Sequence, residues 1–183
     1  PVLGGLDVEQ RAAVFQRFTP KMTFLMPTLA FTTIIGGMVL ASRMGYLPGL
    51  AAWGGLFAVV AMGAALVAIA SQFDAFTDRR WLALFGVIVG GGAASLFANL
   101  GSLAMPGPAI LAALGIVSIL TFLGFGVLLP GEARMYLEMT SANPDTDLIG
   151  RIGMRNAKLS GVEGVFQLSI IAVMVYLRWG IGL

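Results

Sequence analysis

The residues with most chemistry to offer are few and scattered. Glu163 and Gln167 are four apart, so on a helix they share a face. A carboxylate inside an apolar segment is rare and often functional; with Asn99, these two would make a proton or cation relay. The alternative is structural, with Glu163 at the inner boundary, paired with Arg155, Lys158 or a basic residue of another helix. Asn99 falls near the far end of its own segment, distant in depth from Glu163, and no string of acids crosses the apolar stretches. Two methionine pairs, Met22 with Met26 and Met135 with Met139, would each place two thioethers on one helical face, soft ligands that can hold Cu(I). The same flexible side chain also fills irregular gaps between helices.

The missing residue types are equally informative. The chain has no Cys and no His. That excludes a disulfide, a thiolate nucleophile, an iron–sulfur cluster, an imidazole haem ligand and a Ser-His-Asp triad. It also leaves no partner to complete a copper site around the methionines. No P-loop, dinucleotide fingerprint, zinc signature or nucleophile elbow occurs. No catalytic residue, cofactor-binding residue or metal site is assigned. No cofactor is expected beyond lipid contacts, and the sequence leans away from an enzyme.

The elements that would position these residues follow from composition. The 183 residues are 58% hydrophobic and only 11% charged, with a mean hydropathy of +0.91. A soluble domain is about 25% charged, so this chain cannot cover a water-facing surface. A cytosolic enzyme, a disordered chain and a nucleic-acid-binding domain are excluded. The pI of about 9.4 hides a net charge of only +2, with the basic residues in short connections. Five stretches reach the roughly 20 apolar residues that cross a bilayer as helix, at 22–42, 48–71, 81–104, 106–130 and 161–179. The expected fold is an all-α polytopic bundle forming one membrane domain over 1–183. It comprises an interfacial amphipathic helix at 1–21, four spans within 22–130, a cytoplasmic helical hairpin at 131–160 and a last span in 161–183.

Nine basic residues (Arg11, Arg17, Lys21, Arg79, Arg80, Arg134, Arg151, Arg155 and Lys158) fall on one side of this layout, and only Arg43 and Arg178 on the other. The positive-inside rule makes the nine-residue side cytoplasmic, with the N-terminus as given inside and the C-terminus outside. The leading Pro is compatible with loss of an initiator Met and equally with a missing upstream segment. Pro130 is expected to kink or end the fourth span, and Asp145, after Asn143-Pro144, to cap the next helix, which is free to run without a break into the fifth span. Gly86 and Gly90 form a GxxxG, and Gly90, Gly91 and Gly92 run on into Ala93, Ala94 and Ser95. Small residues let helix backbones approach in lipid. They serve packing within this bundle, or a face that docks another subunit's helix.

The second half has a familiar layout: Pro130 through Arg134, the Asn143-Pro144-Asp145 turn, Arg151 and Arg155, then Ser160-Gly161-Val162-Glu163-Gly164-Val165-Phe166-Gln167 leading to Met174-Val175-Tyr176. With the Phe18-Thr19-Pro20-Lys21 to Met26-Pro27 start of the first span, it resembles a group of uncharacterised bacterial integral membrane proteins distantly like the copper-resistance D proteins. The resemblance covers about half the chain and implies a bacterial inner membrane. Such proteins often carry an earlier helix with histidine; none is present here, and no site is carried over. The expected function is a non-catalytic integral membrane subunit or accessory protein. Its expected partners are membrane lipids and other membrane subunits, not nucleic acid. The alternative is a transporter or channel component for a small solute, proton or metal ion. A redox subunit would need a cofactor held without His or Cys.

Overall fold

A computed structural model of the chain describes residues 8–179, with side chains at positions 17 and 21 and from 25 to 179. Its five long helices are α1 (Val8–Arg43), α2 (Leu50–Phe73), α3 (Arg79–Ala98), α4 (Pro108–Met139) and α5 (Thr146–Trp179). Each contains a window long and apolar enough to cross a membrane, and no strand occurs among the described residues. The protein is an all-α, multi-pass membrane bundle. Three helices contain a stretch of wider π-helical turn, at Ala58–Met62 in α2, Gly86–Gly90 in α3 and Phe122–Leu128 in α4.

The core sits on α2. Its buried face is built mainly from alanine, with Ala52, Ala61, Ala65 and Ala70 beside Leu66. The first half of α2 packs on the end of α3, and its second half on the π stretch of α4. Both contacts need small residues. A Cβ on Gly55 would lie 2.5 Å from the Gly92 carbonyl oxygen, and one on Gly126 would lie 3.1 Å from the Ala65 Cα. Lipid offers no hydrophobic drive between helices, so such close backbone approach supplies the packing energy. Two side chains fasten the same end. Ser95 Oγ donates to the Ala51 carbonyl at 2.9 Å, and Trp53 Nε1 to the Ala104 carbonyl at 3.1 Å. In the α1–α2 turn, Gly49 has φ 70°, and a Cβ there would run into the Ser102 carbonyl.

α5 packs along α4. Its covered positions include Ile152, Asn156, Leu159, Glu163, Phe166, Ile170, Val173 and Leu177. They are spaced alternately four and three apart, the 3.5-residue seam of a left-handed coiled coil. α1 meets the last third of α4, and Phe31 stacks on Phe125 of the π stretch with centroids 4.7 Å apart.

Three boundaries differ from those read in the sequence. The expected change of direction near residue 21 is absent, because α1 runs unbroken past Pro20 and Pro27. Proline deletes one hydrogen bond, but in hydrocarbon a broken helix would leave far more groups unpaired. The part of the 1–21 segment before Val8 lies outside the described residues. The third span stops at Ala98 rather than 104, since Asn99 leaves helical geometry (φ −116°, ψ 17°) and its Nδ2 donates back to the Ser95 carbonyl. Pro130 does not end the fourth span, which continues to Met139. The helix after Asp145 does run without a break into the fifth span: α5 is continuous from Thr146, so the arms of the 131–160 hairpin are extensions of α4 and α5. Asp145 does cap α5, its Oδ1 accepting from the Leu148 amide at 2.9 Å, while Glu138 Oε1 accepts from the Asp145 amide.

Neighbouring glycines on α2 test this packing. Gly55→Ala should lower stability by about 1–3 kcal/mol, the usual range for overpacking. Gly54→Ala, whose Cβ meets nothing within 4 Å, should be neutral or slightly stabilising. Thermal unfolding in mild detergent separates the two, and equal effects would refute the α2–α3 contact.

Candidate functional site

The polar groups that matter collect where α2, α4 and α5 meet, towards the end of the bundle that carries Arg79 and Arg80. Their arrangement starts from Pro130. In α-helical pairing the Gly126 carbonyl would accept from residue 130, but proline has no N–H. Gln72 of α2 donates to that carbonyl, Nε2 to O at 2.8 Å, and also to its own Ala68 carbonyl at 3.2 Å. Asn156 of α5 serves a second carbonyl at the end of the π stretch, Nδ2 to Leu128 O at 3.3 Å. Asn156 is only 7% exposed, and its Oδ1 accepts from Arg155 Nη2 at 3.5 Å. Gly131 makes room for this pair. A Cβ there would lie 2.8 Å from both amide atoms of Asn156 and 2.9 Å from Arg155 Nη2.

Glu163 sits two turns further along the α5 seam. Its Oε1 lies against α4, 3.4 Å from where a Cβ on Gly124 would stand, and the carboxylate of Glu132 is near enough for the two charges to interact. The expected pairing of Glu163 with Arg155 or Lys158 does not form. Arg155 is eight residues back, about 12 Å along the axis, and is turned to Asn156. Lys158, five residues back, is on another face and exposed. Gln167 does not join Glu163: it lies outside the seam and is exposed. Asn99 is a helix-terminating residue in the connection after α3, and the structure does not bring it to Glu163.

The candidate glycines divide. Gly92 is buried, and a Cβ on it would come 2.7 Å from the Ala58 Cβ and 3.1 Å from the Gly55 carbonyl oxygen. Gly86, Gly90 and Gly91 are exposed, with nothing within 4 Å of a Cβ. Of the methionines, Met135 packs across to α5, its Sδ 3.7 Å from a Cβ on Gly153, and Met26 is 56% exposed. Met139 is half-buried; the Met22 side chain lies outside the described residues. Among the described residues no group of three or more His, Cys, Asp or Glu comes together as a metal site.

Sequence reasoning passed over Gln72, Asn156 and Gly131. The signal for the first was Pro130 itself, because a proline inside a span orphans the carbonyl four residues earlier and demands an outside donor. No protein-family model, curated protein or solved structure matches the chain.

Asn156→Leu should cost about 0.5–1.5 kcal/mol, the net worth of one hydrogen bond, since the Leu128 carbonyl keeps its own helical partner. Glu163→Gln removes a charge from the partly covered seam and breaks no ion pair, so it should leave stability unchanged or slightly raised. Thermal unfolding of the purified chain checks both. A marked loss in Glu163→Gln would show that the carboxylate charge holds the bundle together.

Proposed function

We propose that the chain is a non-catalytic integral membrane subunit or accessory protein that packs against, and positions, other membrane components. The carrying observation is the outward turn of Gly86, Gly90 and Gly91 on α3. Each glycine inside a helix costs about 1 kcal/mol relative to alanine. Gly92 returns that cost by letting α2 and α3 touch; the other three gain nothing inside this bundle. Gly86 and Gly90 make with the exposed Ala94 a small-residue face at i, i+4, i+8, with Gly91 at its edge, the pattern that admits a second helix closely. The nine-to-two division of basic residues supports an orientation with the Arg79–Arg80 end in the cytoplasm of a bacterial inner membrane. The similarity to bacterial integral membrane proteins distantly like the copper-resistance D proteins is compatible with this role.

A second reading, a transporter or channel component for a small solute, proton or metal ion, is favoured by the placement of Glu163 at the α4–α5 seam, against Gly124. It is opposed by the lack of a second acid deeper along that seam. Flux through liposomes containing the chain alone, abolished by Glu163→Gln, would establish it in place of the subunit reading.

The subunit reading predicts that Gly90→Leu and Gly91→Leu leave the bundle folded in the membrane but remove a co-purifying membrane protein. Gly92→Leu should instead unfold the chain. Retention of the partner by both outward variants would overturn the proposal. Because the chain lacks cysteine, Gly90→Cys also reports the partner: a disulfide-linked homodimer would make it a second copy. Cysteines placed at Arg43 and Asp78 test the orientation. The first should react with an impermeant thiol reagent from outside intact cells, the second only after the membrane is opened.

A further inference from the structure

A groove of about 380 Å³ opens between α1 and α2, with Ile88 of α3 at its edge. All eleven lining residues are apolar. On α1 it runs from Phe31 to Val39, and on α2 from Met62 back to Leu50. Twelve residues of helix rise about 18 Å, and half of a roughly 30 Å hydrocarbon core is about 15 Å. The groove therefore reaches from one membrane boundary to the midplane, the depth of one leaflet. Gly54 and Ala58, four apart, keep its floor low, and Gly54 has nothing within 4 Å of where a Cβ would stand.

Something apolar must fill this space. Water does not occupy a cleft without polar partners, and the surrounding medium consists of acyl chains. The charge at its mouth selects among them. Arg43 ends α1 one turn beyond Val39, on the same face, and is exposed. It stands at the end where Leu50 opens the groove, with its guanidinium available to a phosphate. The other cation at that end, Arg178, stacks on the Trp179 ring at 5.9 Å.

We propose that this groove is a lipid site. It holds one acyl chain of an anionic phospholipid from the leaflet at the Arg43 end, with the phosphate on Arg43. The inference is independent of the subunit reading, because the groove does not use the outward glycines of α3.

The test is native mass spectrometry of the full chain from mild detergent, titrated with phosphatidylglycerol or phosphatidylcholine. The wild type should retain one phosphatidylglycerol at detergent levels that strip phosphatidylcholine. Gly54→Leu fills the floor and should weaken retention about tenfold, equivalent to roughly two methylenes left unburied. Arg43→Gln should erase the preference between headgroups while leaving the melting temperature unchanged. Should Gly54→Leu fail to fold, Val39→Trp at the exposed lip serves the same purpose. Equal retention by wild type and these variants would overturn the site, since the lipid would then be annular only. So would an Ile35→Cys disulfide dimer that excludes lipid, since a second copy would then fill the groove.

Discussion

Hydrocarbon has no water to lend to an unpaired carbonyl, and Pro130 creates one inside a span. Much of the organisation around α4 follows from that single missing N–H. The helix takes π geometry over Phe122–Leu128, directly ahead of the proline. Gln72 reaches the Gly126 carbonyl from α2, and Asn156 reaches the Leu128 carbonyl from α5. The two amides tie three helices to one stretch of backbone. A polar residue at a seam position also fixes register, since sliding α5 by one turn would take the Asn156 amide away from the Leu128 carbonyl.

The remaining cohesion comes from backbone approach, and it is concentrated. Gly55 against Gly92 closes one end of the α2 interface, and Gly126 against Ala65 closes the middle. Around these points most long apolar side chains point away from the core; Val87, Phe97 and Leu168 are among the most exposed. That inversion of a soluble protein is expected when lipid is the solvent. It also means that exposure of an apolar residue says nothing here, whereas exposure of a glycine does.

The number and approximate placement of the spans were legible in hydropathy, because a bilayer imposes a length on any crossing helix. The Asp145 cap was legible because its turn chemistry is local. Helix ends set by side-chain competition were not: Asn99 halts α3 within an apolar run by bonding its own backbone. The role of Glu163 was half legible. Its rarity was plain from the sequence. Whether it shared a face with Gln167 depended on the seam, and the 3.5-residue stripe includes one and excludes the other. The glycine run at 90–92 could not be divided by sequence alone, since three consecutive residues spread over most of a helical turn and only packing tells which one faces inward.

The weighing of function turns on that division. A transport path needs polar groups that are available and distributed through the depth of the bundle. Here the amides of Gln72 and Asn156 are committed to backbone carbonyls, and both lie at the same end as Glu163 and Glu132. Threonine hydroxyls in the spans are likewise committed: Thr121, buried in α4, donates to Val117, and Thr32 and Thr33 donate to the carbonyls of Thr28 and Leu29. Across the other half of the bundle the α4–α5 seam continues through Phe166, Ile170, Val173 and Leu177, and the nearby Ser169 hydroxyl is committed to its own Val165 carbonyl. The outward glycines of α3 have the opposite character, being uncommitted and placed where a partner helix would find them. Gly55, Gly92, Gly126 and Gly131 are used at contacts inside the bundle, whereas Gly86, Gly90 and Gly91 meet nothing there, and that contrast supports the proposed subunit over a channel.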